Sequence, residues 1–413
     1  MQNIKKIIWK LFTVSFFGLC FLFTSSSFGQ ELPKPGEVIN KTNIKKYSHL
    51  FPESYLPGIE DGWSGFVKPL EFKIVQTKSF PLPKWFMARS EQNRGKLSFD
   101  EKGWVVGDFD FSALPFPGVT PEDKDFATKL MWNYGYNYNG DDLLRNNGAY
   151  NRRRGEPVTW VHTQMNGCAF ANRFYIDPKP FYKTPEKLYN SYYILYYSPS
   201  NLKYFQLLNY EYLDYSKPND SYLYLPQMRR VLRGEAGQRS TPLAGTIQAM
   251  DDFEGGFDGK TQDFTYKYLG QQKMLGNFQG PASWEYSQKQ IKADPDAIPF
   301  PADGWEVRDT YIIEVKAKDP KYPQSKKILY LDQETLRILY TTAWDRAGET
   351  WKIWNNVWKP LVLADGELLI ASASQFGLDM QFGMAGNYFA DLAVNTGLKY
   401  ADMTPSAMIK RAR

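Results

Sequence analysis

From Trp305 onward, apolar and polar residues alternate one by one. Trp305, Val307, Tyr311, Ile313 and Val315 share one parity; Glu306, Arg308, Thr310, Glu314 and Lys316 share the other. Successive side chains of a strand point to opposite faces, so this is the pattern of a half-buried strand. It resumes at Ile328 and Tyr330, at Leu336, Ile338, Tyr340 and Trp344, and at Trp351 and Ile353. The breaks are Asp319-Pro320, Asp332-Gln333-Glu334 and Asp345-Arg346-Ala347-Gly348. Asp bonds its own backbone, Pro fixes φ and Gly accepts positive φ, so these are turns. The alternation predicts an antiparallel meander with one aromatic face.

The same logic applies to most of the remaining chain. A strand is expected at Phe72–Lys78, and further strands in VTWVHTQM, AFANRFYI, YYILYYS, LKYFQLLNYEYLDY and DSYLYLPQMRRVLRGE. A last strand is expected within 386–398. Thr120-Pro121-Glu122-Asp123 reads as a helix start, which predicts a helix over 121–134 with Phe126, Leu130 and Tyr134 on one side. Thr404-Pro405 predicts a short C-terminal helix within 401–413. The Gly-rich stretch LAGTIQAMDDFEGGFDGKTQDF reads as a loop. Residues 30–70 read as an irregular arm, 71–400 as a single β-rich domain, and 277–303 as an insertion into it. The fold class is mainly β (α+β), with one large curved antiparallel sheet.

Residues 1–29 have the form of a secretory signal peptide: basic Lys5, Lys6 and Lys10, an apolar run from Leu11 to Phe23, and small residues before a cut after Gly29. Cys20 lies inside the apolar run, so no lipidation site is expected. Three leader lysines bring the formal charge of +5 to near +2, which argues against a nucleic-acid partner. Cys168 is then the single cysteine of the mature chain and has no disulfide partner, so the core must hold the fold. Aromatic residues reach 16%, which fits either a generous β core or a lined cavity.

Candidate chemistry is sparse. His49 and His162 lack metal-ligand spacing, and no cofactor or metal is expected. Gly255-Gly256-Phe257-Asp258-Gly259-Lys260-Thr261 misses the phosphate-loop spacing and carries an acid. Asp251, Asp252, Glu254 and Asp258 admit a carboxylate pair for glycoside chemistry, with ion pairing as the plainer reading. Arg229, Arg230 and Arg233, with Arg239, are candidate partners for Asp251 and Asp252 or for a lipid headgroup. Asn151-Arg152-Arg153-Arg154-Gly155 is a second basic run.

Three blocks carry a family resemblance: LPFPGVTPEDKDFATKLMWNY, YLYLPQMRRVLRGEAGQRSTPLAGTIQAMDDFEGGFDGKTQDF and the meander through TAWDRAGETWKIW. They resemble a family of exported Gram-negative proteins described as outer-membrane lipoprotein-sorting-like, similar in fold to the periplasmic carriers LolA and LolB. The resemblance implies a half-open β-barrel with helices as plug or lid. It also implies a periplasmic protein, peripheral to the outer membrane, that binds a lipid, lipoprotein or other hydrophobic cargo. Its implied partners are an inner-membrane transporter and an outer-membrane protein. The chain departs from the LolB type in lacking a lipidation site and is about twice the length of LolA. The family offers no catalytic residues to carry over. On this reading Trp305, Tyr311, Tyr340, Trp344 and Trp351 are candidate cavity-lining residues. The alternatives are an envelope hydrolase using the acids of 251–258, and an outer-membrane-associated structural protein.

Overall fold

The computed structural model describes residues 31–108, 110–234, 239–243 and 245–412; the signal peptide expected over 1–29 lies outside them. Two small strand pairs come first in the chain: β1 (Val38–Ile39) with β2 (Phe72–Lys73), and β3 (Leu97–Phe99) with β4 (Val105–Gly107). Thirteen further strands form one sheet among the described residues. They are β5 (Asp142–Arg153), β6 (Thr159–Ala169), β7 (Leu188–Ser198), β8 (Gln206–Tyr212), β9 (Asp220–Leu225) and β10 (Arg230–Gly234). Next come β11 (Phe264–Asn277), β12 (Trp305–Ala317), β13 (Lys326–Asp332) and β14 (Ile338–Trp344). The series ends with β15 (Thr350–Val362), β16 (Leu368–Asp379) and β17 (Met384–Val394).

The strand order is β10-β9-β8-β7-β6-β5-β17-β16-β15-β11-β12-β13-β14, and β14 also pairs with β15. The pairings are antiparallel except for one parallel contact, Asn277 with Val357, between β11 and β15. Strands β11 to β15 therefore close on themselves, while the wing from β16 to β10 stays open. This is the half-open barrel that the family resemblance implies, built from the large antiparallel sheet that the alternation predicts.

Register defines the two faces, because partners in an antiparallel pair share a side. Val315 faces Lys327, and Trp354 faces Thr341 and Gly377. Across the wing, Arg145 faces Met165, Met165 faces Ile194, and Ile194 faces Leu207. These positions lie on one continuous face. The loop 239–259 and the helix Phe126–Gly135 lie over that face. The opposite face of the meander is covered by residues 32–74, which place Tyr55 against Tyr340 and Ser54 against Thr342. The helix Trp284–Ala293 covers the opposite face of β5, where Gly148 is required: a Cβ there would sit 2.1 Å from the Trp284 ring. The C-terminal helix Pro405–Arg411 covers β7 to β9 on that side, with Met403 and Met408 buried against Tyr193, Leu208 and Tyr210. Strand β7 is therefore buried on both faces, which accounts for its unbroken apolar run.

The structure departs from the sequence reading in several places. The strand expected in AFANRFYI ends at Ala169, because Asp141 accepts the Phe174, Tyr175 and Ile176 amides and folds the rest into a loop. The strand expected at Phe72–Lys78 stops at Lys73. The helix expected over 121–134 begins at Phe126. Asp123 accepts the Thr120 amide in a local turn, and Asp125 takes a left-handed φ of 61°, so the Thr-Pro-Glu segment is spent before the helix starts. The N-terminal arm carries the short helix that Thr42 suggests, with Ile44 and Tyr47 buried on one side, and beyond it, where irregular chain is expected, further short helical turns. Ile44, Tyr47, Leu50, Phe51, Tyr55, Ile59 and Phe72 from it are all buried in the largest core cluster. Fully burying such a side chain gains about 1.5–3 kcal/mol relative to leaving it exposed, which is what holds the arm down. The segment 277–303 carries the helix Trp284–Ala293, capped by Ser283 Oγ, which accepts from the Tyr286 amide. The C-terminal helix starts as read, with Thr404 Oγ1 accepting from the Ala407 amide.

Candidate functional site

The aromatic residues singled out as cavity candidates go mostly to the core. Trp305 is fully buried against Phe72 and Phe300 and donates its indole N–H to Pro301 O. Tyr340 packs edge-on to Tyr55 and Tyr330. Trp351 is buried and donates to Asp379 Oδ1. Trp344 is half-buried beneath the Lys326 ammonium. None of these four lines the hollows described below. Aromatic pairs favour edge-to-face contact, which fills space rather than leaving it. Tyr311 alone of the five lines a hollow.

The charged candidates separate as well. Arg229 and Arg230 are exposed at the hairpin between β9 and β10, and Arg233 pairs with Asp220. Asp251 is instead held by Arg239 at 2.8 Å, with hydrogen bonds from Ser240 and Tyr322. Burial pushes the Asp251 carboxyl up, but Arg239, Lys327 and Tyr322 together hold it below the usual range. Asp252 is buried against Lys352 at 2.5 Å. Neither carboxylate lines a described hollow, whereas Glu254 and Asp258 of the same run line the first of those described below. In the second basic run, Arg152 donates to Asp296 O, and Arg154 donates to Trp63 O and Ser64 O. His162 bonds Asn146 and lies against Trp284, and among the described residues no cluster of metal-ligating side chains occurs. Cys168 is buried, and burial pushes its thiol up to about 12.

The loop 248–258 is pinned across the sheet. Lys327 donates to Asp251 O and Gly256 O, Thr341 to Gly255 O, and Gln375 to Asp252 O. Tyr134 from the helix donates to both Glu254 O and Phe257 O. Glu254, Gly255 and Gly256 all have positive φ, and a Cβ on Gly256 would meet Thr341 Cβ at 2.7 Å. Only glycine accepts both that conformation and that approach cheaply. Glu254 pairs with Arg145 of β5 at 2.8 Å.

Phe253 and Glu254 stand between two hollows. The first, about 150 Å³, lies between the loop and strands β5 to β8 and is lined by Asn137, Arg145, Asn172, Tyr192, Glu211 and Asp258. The second, about 50 Å³, lies towards β16 and β17. Burial pushes the Asp258 carboxyl up to about 8; Glu211, Glu254 and Asp251 add to that rise, and Arg239 opposes it. A third space of about 120 Å³ adjoins Asp258 and Glu211 on the far side.

A separate groove of about 290 Å³ runs along the helix Phe126–Gly135. Its walls are Leu82, Met87, Leu114, Val119, Leu130 and Leu336, with Tyr311 on its floor. Its polar end carries Gln333 and Glu334. Glu334 is fixed by Arg308 and by the Phe80 amide. The sequence reading missed the groove because its walls come from four separate segments. Two signals were present: Tyr311, among the aromatic cavity candidates, and Leu130, on the predicted helix stripe.

Residues 38–403 match the family described as Protein of unknown function (DUF1329). No curated protein matches the sequence. Among solved structures, an outer membrane lipoprotein-sorting protein domain from Vibrio parahaemolyticus is similar at TM-score 0.50 and 14% identity, covering 68% of this chain and 98% of that one. A DUF1329 family protein from Desulfovibrio piger gives 0.49 and 14%, over 68% and 97%. A LolA superfamily protein from Nitrosomonas europaea gives 0.40 and 13%, over 65% and 91%.

Proposed function

The chain belongs to the DUF1329 family, and from that premise we propose that it is a binding protein for a single-chain hydrophobic cargo, acting as a carrier in the periplasm. One observation carries this reading: the apolar groove beside the helix Phe126–Gly135. Its volume of about 290 Å³ lies at the lower end of small-ligand pockets, which run from ~300 to ~1,000 Å³. That suits one acyl chain better than two. Each buried methylene contributes about 0.8 kcal/mol, so a chain can be held without any catalytic group. Gln333 and Glu334 give the polar end of such a molecule an edge to meet. The shared fold with a structure named for lipoprotein sorting supports the same reading, as does the leader read over 1–29. No helix among the described residues is long and apolar enough to cross a membrane. An inner-membrane transporter and an outer-membrane protein are the partners such a carrier would meet.

The test is uptake of a fluorescent fatty acid, with native mass spectrometry of the purified protein. Met87→Glu places a charge on a half-buried groove wall and is expected to weaken uptake by more than about tenfold, since a charge facing an acyl chain must be desolvated. Val362→Glu, at a residue 73% exposed, is expected to leave uptake unchanged. Wild-type protein that binds no amphiphile, or equal uptake by both variants, would overturn the proposal.

A further inference from the structure

The first hollow, beneath the loop, is distinct from the apolar groove and differs from it in chemistry. Asn137 and Asn172 both line it, and both are at least nine-tenths buried. Asn137 donates its amide to Thr335 O and Asn172 donates to Tyr136 O, which fixes the carbonyl end of each side chain. Neither Oδ1 makes a hydrogen bond within the protein. A buried acceptor without a donor is costly, so such groups need a reason.

Charge points the same way. Four carboxylates line the hollow: Asp142, Glu211, Glu254 and Asp258. Asp142 is satisfied by Thr396, Gly397 and Leu398, Glu254 by Arg145, and Asp258 by Arg239. Among the described residues Glu211 makes no salt bridge, though the Lys260 and Arg239 cations act on it from further off. It accepts only two long amide contacts, 3.5 Å from Asn190 and 3.4 Å from Asn219. Lys260 lies in the adjoining space, with its ammonium turned to Tyr215 O and Lys217 O. The lining thus holds two unfilled acceptors and, in Glu211, a carboxylate without a close donor, with the rings of Tyr192 and Phe253 beside them. Arg145 Nε and the Tyr192 hydroxyl also make no hydrogen bond. They can serve a hydroxyl on the same ligand.

We infer that this hollow binds a small organic ammonium ion that carries N–H donors and a neighbouring hydroxyl. The N–H groups answer the two asparagine oxygens and Glu211. The aromatic rings favour the cation, and the hydroxyl answers Arg145. About 150 Å³ admits a molecule of a few heavy atoms. This inference is independent of the groove and of the carrier reading.

Calorimetric titration of the full chain with ethanolamine hydrochloride, choline chloride and ethylene glycol tests it. Ethanolamine is expected to bind saturably at millimolar concentration. Choline has the charge but no N–H, and should bind at least about tenfold more weakly; ethylene glycol should not bind. Glu211→Gln keeps the shape, removes the charge and is expected to lower ethanolamine affinity by at least about tenfold, with an unchanged melting temperature. Should Glu211→Gln fail to fold, ethanolamine soaked into wild-type crystals must appear within hydrogen-bond distance of Asn137, Asn172 and Glu211. No saturable binding, choline binding as tight as ethanolamine, or a hollow that holds water alone after the soak would each overturn the inference.

Discussion

Arg308→Met is expected to destabilise the protein by about 3–5 kcal/mol, because it removes the cation from a buried cluster of acids. Arg308 is 5% exposed and bonds Glu306, Asp332 and Glu334 at 2.7–3.0 Å, as well as Lys78 O. Glu306 and Asp332 are essentially sealed from solvent. Methionine preserves much of the stem volume, and the rings of Phe278 and Phe80 that flank the guanidinium can pack on it. The expected loss is therefore electrostatic rather than a cavity effect. The pH dependence separates the two causes. Burial already raises the Glu306 carboxyl, while Gln279 and Arg308 pull it down. Without Arg308 it rises further, so the stability it allows when protonated is lost as pH climbs through that higher value. Glu334 is lowered overall: burial pushes it up, but the Phe80 amide, Ser79 and Arg308 outweigh burial. Its contribution is present above its unfolded value and fades in acid. Both signs give the same result. The gap between wild type and variant should be widest towards neutral pH; the Glu306 share should shrink as pH falls towards that group's raised wild-type value, above about pH 4.3, and the Glu334 share below it. Urea denaturation at several pH values reads it. A gap under about 1 kcal/mol, or one constant with pH, would show that the cluster is not held by Arg308.

The strands of the meander were legible because they alternate. Their faces were only half legible. Glu306, Arg308 and Thr310 occupy the parity that sequence assigns to solvent, yet all three are buried. Their cover and partners come from Lys78, Phe80 and the Asp332–Glu334 turn, which no local pattern reveals. Bulges add to the problem. Leu339 is skipped between the pairs Tyr330–Tyr340 and Leu331–Ile338, so Ile338 and Thr341 share a face although their parities differ. The aromatic residues misled for a different reason: composition cannot distinguish rings that meet edge to face from rings that line a void. The acids of 251–258 were visible as a cluster, but their role depends on Lys327 and Lys352, about a hundred residues away in one case and more than seventy in the other. Asn137, Asn172 and Glu211 left no signal, since three separate segments bring them to one hollow.

The loop 248–258 is the element on which the second large effect rests. Lys352→Met is expected to cost about 3–5 kcal/mol, since it leaves Asp252 and Asp379 buried close to one cation's former place. Lys352 Nζ is 2.5 Å from Asp252 Oδ2 and 3.9 Å from Asp379 Oδ2, and all three side chains are within 1% of full burial. Asp252→Asn should also destabilise, by orphaning Lys352, although Lys352 keeps Ile247 O and Asp379. The double variant should lose clearly less than the sum of the singles, because removing both members leaves no unpaired charge between them; the coupling in such networks runs to about 0.5–3 kcal/mol. Hydrogen exchange gives a local readout. Asp252 Oδ2 also accepts the Ala249 amide, and Gln375 holds Asp252 O, so the ion pair is the anchor that keeps the loop on the sheet. In Lys352→Met, the amides of 249–258 should exchange faster, relative to wild type, than those of β7, which is buried on both faces and remote from the pair. Strict additivity of the two substitutions, or faster exchange spread evenly over the sheet, would mean that the loop is held by its main-chain hydrogen bonds and its glycine turns. The buried charges would then be passengers rather than the latch.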